Sequence, residues 1–283
     1  MRAVRFCAQL GFAMEERTRQ AIRGHAQRLR QVSAERIQVE LTKLLTSPHP
    51  DYLRMAWETG ITAVVLPEFD RQMAQPQHNP HHFLSVGEHT LRAMQAVRPD
   101  KCLRLAMLLH DVAKPLCLTT DEKGIDHFHG HAQLGEREAA GILKRLRYDN
   151  HTVELVRRLV KWHDVFIEPE KKAVRRAASR MGTDIFPLIL EVKAADLAAQ
   201  SDYRREEKEA WLERLRSLYA QIEEEGDCLT LKDLAVTGRD LMEAGMKPGP
   251  GLGQALQSLL ETVLEDPEKN TKEYLLSLLP RET

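Results

Sequence analysis

The sequence has few cysteines and no long apolar run. Its four cysteines, in 283 residues, lack the spacing of metal ligands. This argues against a cysteine zinc site and a disulfide framework, and it favours reduced thiols. No run approaches the roughly 18 apolar residues that a membrane span requires, and the N-terminus lacks the layout of a secretory signal. We therefore expect a cytoplasmic protein with no membrane partner.

Neither sign of charge is in marked excess. The chain has 41 Lys and Arg residues against 42 Asp and Glu residues, so its formal net charge is −1. A protein without a global basic excess can hold nucleic acid only through a local basic patch. Composition therefore neither requires nor excludes RNA as a partner.

Runs of alternating β-branched residues are almost absent, and helical periodicity covers nearly every segment. The pattern predicts an all-α fold, with one helix over residues 14–32. The exception is the segment "CLTTDEKGIDHFHGH" at 117–131, in which residues 121–124 are typical of a turn in a short hairpin.

Several polar side chains fall on helix faces that should be apolar. In "LRLAMLLHDVAKPL", Leu103, Ala106 and Met107 are followed at i+7 by His110, which continues the buried stripe. The same spacing directs His89 and His163 inward from two further helices. Asp196 lies on the apolar stripe of 187–200, where an ionised carboxylate needs a cation.

One inward histidine is more often a hydrogen-bonded core residue than a metal ligand. Three such histidines, an inward aspartate and the His-Asp pair at 110–111 lie on four helices, and each costs desolvation unless they converge. A shared metal site removes these costs together. Mixed nitrogen and oxygen ligands suit Mn²⁺, Fe²⁺, Ni²⁺, Co²⁺ or Zn²⁺, with Mg²⁺ suitable if oxygens dominate. We expect divalent metal as the cofactor, and the sequence does not identify the ion.

These residues, with "HFHGHAQLG" around His131, resemble the H…HD…D signature of the HD superfamily of metal-dependent phosphohydrolases. The resemblance implies two ions: Asp111 bridges them, His131 and His163 hold the second, and the remaining ligands, His89, His110 and Asp196, hold the first. It also implies that Lys114, in "HDVAK", contacts a phosphate oxygen beside the catalytic Asp111. On the residues alone, a surface lysine before Pro115 is an equal alternative.

The ends of the chain resemble the neck and tail of bacterial CCA-adding enzymes and poly(A) polymerases. The segments that carry this resemblance are "MRAVRFCAQLGFAMEERTRQAIR", "VSAERIQVELTKLL", "HFLSVGEHTLRAM", "LLHDVAKP", "DHFHGHAQLG" and "LAVTGRDLMEAGMKPGPGLGQALQSLLETVLEDPEKN". The implied organisation is a helical neck at 1–75, an HD domain at 76–222 and a tRNA-contacting tail at 223–283. The sequence contains neither the Gly-Gly stretch nor the Asp-x-Asp pair of that family's nucleotidyltransferase head. We therefore expect a headless chain: a natural headless protein, a half whose head is encoded separately, or a truncated gene model.

Basic residues concentrate in the first 45 positions, which is consistent with contacts to an RNA backbone. The resemblance points to Arg2 and Arg5 there, and to Lys247 in "GMKPGPGLGQAL", where a helix N-terminus can meet a phosphate. The alternatives from the residues alone are solvated arginines and a glycine-rich joint without a ligand.

These observations lead to one principal expectation and two alternatives. The principal expectation is a two-metal phosphohydrolase acting on nucleotide phosphoesters or RNA ends, such as 2′,3′-cyclic phosphates, without nucleotidyl transfer of its own. The first alternative is a non-catalytic module that binds tRNA or other RNA, or a partner subunit of a separate nucleotidyltransferase head. The second is a free-standing phosphohydrolase for signalling nucleotides.

Overall fold

The computed structural model describes residues 1–81 and 83–279. These residues are predominantly helical, which confirms the all-α prediction. The helices, in chain order, are α1 Arg2–Leu10, α2 Glu16–His25, α3 Ala34–Leu45, α4 Leu53–Glu58, α5 Thr62–Val65, α6 Pro67–Ala74, α7 Val86–Ala96, α8 Lys101–Leu109, α9 His131–Arg145, α10 Asn150–Trp162, α11 Lys171–Met181, α12 Phe186–Ala199, α13 Arg205–Glu225, α14 Gly238–Glu243, α15 Pro250–Glu265 and α16 Lys272–Ser277.

The predicted hairpin is present. Strands β1 (Thr119–Thr120) and β2 (Asp126–His127) pair antiparallel, with Thr119 opposite His127. Asp121 accepts hydrogen bonds from the backbone N–H groups of Lys123 and Ile125, as the turn composition requires. The single helix predicted over 14–32 is wrong in its second half, because α2 ends at His25 and a 3-10 segment covers Ala26–Gln31. Gly24 lowers helix propensity immediately before this tighter winding.

The chain forms two compact units. One comprises Met1–Val165 with Pro187–Glu209, and the other comprises Phe166–Phe186 with Ala210–Thr283, whose last four residues lie outside the described part. The division into 1–75, 76–222 and 223–283 stays a prediction. Among residues 1–81 and 83–279, no helix combines the length and apolarity needed to cross a bilayer.

In the first unit, α8 is the most buried helix. Every residue from Cys102 to Leu109 is buried. Helices α7 and α10 pack against α8, α9 packs against α10, and α6 packs against α7. This arrangement places the C-terminal end of α8, where the His-Asp pair follows, in the interior of the unit.

In the second unit, α15 packs against α11 and α14. Phe186 and Tyr219 contribute an aromatic contact to its core, with ring centroids 4.7 Å apart. Arg175 of α11 is buried and joins three partners. Its guanidinium pairs with Asp227 at 3.0 Å and donates to the carbonyl oxygens of Leu264 and Glu265 at the end of α15.

Candidate functional site

The His-Asp pair follows α8, and the sequence of α8 explains both where this helix begins and why it is buried. Asp100 caps α8 by accepting hydrogen bonds from the backbone N–H groups of Cys102 and Leu103. The apolar run then carries the chain through the core. His110 and Asp111 emerge at its end with 1% exposure each, so both polar side chains are enclosed.

The first cluster consists of His89, His110, Asp111 and Asp196. His89 Nε2 lies 3.2 Å from His110 Nε2 and 2.9 Å from Asp196 Oδ1. Asp111 Oδ2 lies 3.2 Å from His110 Nε2 and 3.7 Å from His89 Nε2. The four side chains predicted to hold the first ion therefore converge.

The second cluster consists of Asp111, His131 and His163. His131 Nε2 lies 3.3 Å from His163 Nε2. Asp111 Oδ1 lies 3.5 Å from His131 Nε2 and 3.7 Å from His163 Nε2. Because Oδ2 of Asp111 faces the first cluster and Oδ1 faces the second, this carboxylate lies between them.

The histidine tautomers make both clusters suitable for metal. Each imidazole turns Nδ1 toward a backbone carbonyl oxygen: His89 toward Ala199 (3.4 Å), His110 toward Met107 (2.7 Å), His131 toward Phe128 (2.7 Å) and His163 toward Val160 (2.7 Å). Since a carbonyl only accepts, Nδ1 carries the ring hydrogen in the neutral form and the Nε2 lone pair points into the cluster. Two such lone pairs at contact distance repel each other unless a cation or a proton lies between them. Two nitrogens bound to one ion at about 2.1 Å lie roughly 3.0–3.4 Å apart, so the Nε2 spacing fits a shared ion.

Asp111 supplies a second indication of fit. Its Oδ2 atom is buried and accepts no well-aligned hydrogen bond among the described residues, although Lys114 Nζ lies 2.7 Å away. Burial raises the pKa of Asp111, but the charges of His110 and Lys114 outweigh it and hold that pKa well below its usual range. Asp111 is therefore an anion whose Oδ2 atom, although it lies beside Lys114, has a lone pair available to a metal ion.

The electrostatic environments of His110 and His131 differ. Burial lowers the pKa of His110, but Asp111 more than compensates and the net effect is a raised pKa. Burial lowers the pKa of His131, and Asp111 opposes this shift without cancelling it. Asp196 resembles Asp111, because burial raises its pKa and the close contact with the His89 imidazole outweighs that effect and lowers it.

Lys114 is buried, which rules out the surface alternative. It is 6% exposed, and its Nζ contacts Asp111 and donates to Gln77 Oε1 at 3.0 Å. Whether Lys114 contacts a phosphate stays a prediction. Gln77 escaped the sequence reasoning because it lies in a proline- and histidine-rich loop, where no periodicity shows which side chains are buried.

Lys193 was also missed, although the sequence contains a signal for it. It is three residues before Asp196 in α12 and therefore on the same helix face. Its Nζ donates to the carbonyl oxygens of His163 at 2.6 Å and Val165 at 2.7 Å. Burial lowers the pKa of Lys193 to about 8, against the opposing charges of Asp164 and Asp196.

The clusters open to a cavity of about 670 Å³. Its lining includes Asp111, Lys114, His131, His163 and Asp196, together with polar groups of the loop 79–81 and the segment 125–133. A molecule in this cavity would meet the second cluster directly.

The predicted RNA-binding residues have different environments. Arg2 is exposed, and so is Lys247, just before α15. Arg5 is 7% exposed, and its guanidinium donates to Glu40 Oε2 at 2.7 Å and Gln9 Oε1 at 2.6 Å. Arg5 thus joins α1 to α3, and the geometry favours Arg2 over Arg5 for contact with RNA.

Six cations near the N-terminus are exposed and have neither an ion-pair partner nor a side-chain hydrogen bond among the described residues. We call them the N-terminal cation set: Arg2, Arg17, Arg28, Arg30, Arg36 and Lys43. Arg19 is not a member, because it pairs with Glu58 at 2.8 Å. Arg23 is also excluded, because it donates to the Glu58 carbonyl oxygen. The set offers positive charge that the fold does not use.

Two family matches cover most of the chain. Residues 11–73 match the family described as "Probable RNA and SrmB- binding site of polymerase A", and residues 117–279 match tRNA nucleotidyltransferase domain 2. A CC-adding tRNA nucleotidyltransferase of Thermus thermophilus is 36% identical over 278 residues, which cover 94% of this chain and 62% of the relative. An A-adding tRNA nucleotidyltransferase of Deinococcus radiodurans is 32% identical over 275 residues, which cover 92% and 62%.

The chain also resembles the crystal structure of the Bacillus stearothermophilus CCA-adding enzyme in complex with CTP. The TM-score is 0.60 at 24% identity, over 98% of this chain and 59% of that one, and this likeness supports the fold. The chain spans about three fifths of the length of these relatives. The matches define a helical region of enzymes that add nucleotides to tRNA. The chain belongs to the CCA-adding tRNA nucleotidyltransferase family and corresponds to its body and tail portion, and this family is divalent-metal dependent.

The prediction of a metal-dependent phosphohydrolase without nucleotidyl transfer is wrong. The relatives are tRNA nucleotidyltransferases and CCA-adding enzymes, not hydrolases. The prediction failed because clusters of imidazole and carboxylate ligands serve many chemistries, so their convergence indicates an ion and not a reaction. The comparisons do not show membership of the HD superfamily. The ligand assignment therefore rests on the geometry.

Proposed function

We propose that this chain serves tRNA nucleotidyl transfer as a tRNA-binding body and tail with a divalent metal centre in its core. The N-terminal cation set carries the proposal. Exposed arginines without carboxylate partners are free to neutralise phosphates, and phosphate contacts supply most of the affinity of sequence-independent RNA binding. The family match at 11–73, whose description names an RNA-binding site, covers most of the set.

Paired and unpaired cations near the N-terminus differ in how easily RNA can reach them, and this difference supports the proposal. Arg5 and Arg19 are held by Glu40 and Glu58, so RNA would have to displace a carboxylate to reach them. Arg17 and Arg28 require no such exchange. Lys247 extends the proposal to the tail, where it precedes the Gly- and Pro-containing N-terminus of α15.

The proposed metal centre has two ions. His89, His110, Asp111 and Asp196 would hold the first, and Asp111, His131 and His163 would hold the second. The nitrogen-rich donor set suits Mn²⁺, Fe²⁺, Co²⁺, Ni²⁺ or Zn²⁺ better than Mg²⁺. Bound ions would place positive charge at the base of the 670 Å³ cavity, where it would attract phosphate oxygens. The protein's own contribution is to hold four Nε2 lone pairs and two carboxylates in place.

The tRNA proposal is tested by salt-dependent binding. We expect fluorescently labelled tRNA to bind with an affinity that falls as salt rises, with a slope of about −0.9 in log K against log salt for each neutralised phosphate. Replacing Arg17 or Arg28 by Ala should weaken binding of all tRNAs alike and reduce the slope by about one. The matched control is R98A, which removes an exposed arginine already paired with Glu191 at 2.8 Å. Equal losses in R98A and R17A, or binding insensitive to salt, would contradict the proposal.

A further inference from the structure

Lys193 is a buried cation that the proposed metal centre does not use as a ligand. It is 7% exposed in the interior of the first unit, where an ammonium group is costly unless its hydrogen bonds are satisfied. Its Nζ donates to two backbone carbonyl oxygens, those of His163 and Val165. Both carbonyls lie just beyond α10, which ends at Trp162.

The C-terminal end of α10 explains why a cation is suited to this position. The last carbonyls of a helix have no partner within it, and they carry the negative end of the helix dipole. Glycine or a local basic side chain often satisfies such carbonyls, but the chain continues here as Asp164 and Val165. Lys161, in the last turn of α10, pairs with Glu136 at 3.8 Å. The partner comes instead from α12.

His163 is thereby held at two points. Its ring nitrogen Nδ1 donates to Val160 O at 2.7 Å, and its own carbonyl accepts from Lys193 at 2.6 Å. The ring contact sets the direction of Nε2, and the carbonyl contact sets the position of the backbone from which the ring extends. Loss of the second contact leaves the turn after Trp162 free to move.

The position of Lys193 on α12 links this anchor to the other cluster. Asp196, one turn further along the same face, contacts His89 in the first cluster. One helix therefore supplies a carboxylate to the first cluster and an ammonium to the backbone that carries His163 of the second.

We propose that Lys193 is a positioning residue. It keeps His163 aligned with Asp111 and His131, so that these three side chains bind the second ion tightly. This inference rests on the proposed metal centre. Lys193 touches no ion, and its effect on the centre is exerted through the backbone of His163. Residues that orient metal ligands in this way are typically worth 10–100-fold in affinity.

The experiment is Co²⁺ titration of the full chain, followed by calorimetry and by the visible absorption of bound cobalt. We expect two ions in the unmodified protein. Lys193→Met should retain the first and bind the second about 10–100-fold more weakly, with an altered cobalt spectrum. Lys193→Arg keeps charge and donors and should recover part of the affinity.

Arg175→Met is the matched control. Arg175 is also a buried cation that donates to two carbonyls at a helix end, but it does so in the second unit. Its loss should lower the unfolding midpoint and leave both cobalt affinities unchanged. A loss of second-ion affinity in both variants would reduce the effect to general destabilisation and overturn the proposal.

The remaining outcomes separate the two proposals. If the unmodified protein binds no cobalt, the metal centre itself is wrong. If it binds two ions and folded K193M binds both equally well, the metal centre stands and the role of Lys193 is wrong. If K193M and K193R both fail to fold, Lys193 is a core residue and the positioning role is likewise overturned.

Discussion

The two clusters share one carboxylate but differ in how the fold delivers their histidines. His89 comes from the interior of α7 and His110 from the end of the buried α8, and neither lines the cavity as described. His131 begins α9 directly after Gly130, whose φ of 78° turns the chain, and His163 follows α10. Both of these line the cavity.

This difference shows that packing and capping support the ligands in different ways. His89 inside α7 and His110 at the end of α8 are enclosed by neighbouring helices, with 0% and 1% exposure. His163 also ends a helix, but it lines the cavity, and its backbone carbonyl is held by Lys193 of another helix. We therefore expect the first ion, whose two histidines do not line the cavity, to exchange more slowly than the second, which should be more accessible and more sensitive to mutation.

The largest effect should follow from removing the shared carboxylate. Asp111→Ala should abolish both ions, because Oδ2 and Oδ1 each serve one cluster. It also leaves the buried ammonium of Lys114 unpaired, and loss of one partner of a buried pair costs about 3–5 kcal/mol. Elemental analysis and urea unfolding measure the two effects. The control is Asp121→Ala in the hairpin, and retention of either ion at full affinity by D111A would refute a bridging carboxylate.

Variants that remove one histidine ligand should weaken the binding of one ion and leave the other ion bound. His131→Ala should lose the second ion by at least about 100-fold and keep the first, since outer-shell changes alone cost 10–100-fold. His89→Ala should do the reverse. Calorimetric titration with Co²⁺ or Mn²⁺ reports both steps. Loss of both ions in H131A would mean that the clusters form one site.

Two glycines test how packing supports each cluster. A Cβ at Gly87 of α7 would lie 2.7 Å from the backbone N and Cα of Met73, which cannot move aside cheaply. Gly87→Ala should therefore cost about 1–3 kcal/mol and weaken the first ion by displacing His89. Gly135→Ala in α9 is the matched variant, because its Cβ would meet Val160 Cγ1 at 3.3 Å and needs only a small adjustment. Thermal unfolding that ranks G135A as the more damaging variant would contradict this reasoning.

The smallest effect concerns the pair that joins α6 to α9. Glu68 accepts two hydrogen bonds of 2.7 Å from Arg145. Burial raises the pKa of Glu68, but Arg145 outweighs it and lowers that pKa below the ordinary 4.5. A lowered folded pKa means that the pair stabilises fully above about pH 4.5 and that this contribution is lost as pH falls through the depressed value.

Glu68→Gln should therefore cost about 1 kcal/mol at pH 7, given the half-exposed arginine, and much less at pH 3. Urea unfolding at the two pH values measures the difference. A cost independent of pH would show that packing, and not charge, holds Glu68 in place.

The sequence by itself determined the helical class, the hairpin and the inward direction of His89, His110, His163 and Asp196. These follow from local periodicity, because a spacing of three or four residues selects one helix face whatever the partner. It also indicated convergence, since inward polar groups on several helices are tolerable only together.

Only the tertiary structure decided which oxygen of Asp111 faces which cluster, that Lys114 is buried against it, and that Lys193 reaches His163 from 30 residues away. It likewise showed that Arg5 is paired with Glu40, 35 residues away in the sequence, whereas Arg2 is exposed. Such pairings depend on how distant helices pack. Periodicity places a side chain on a face of its own helix, and the neighbours that the face meets are set by the global fold.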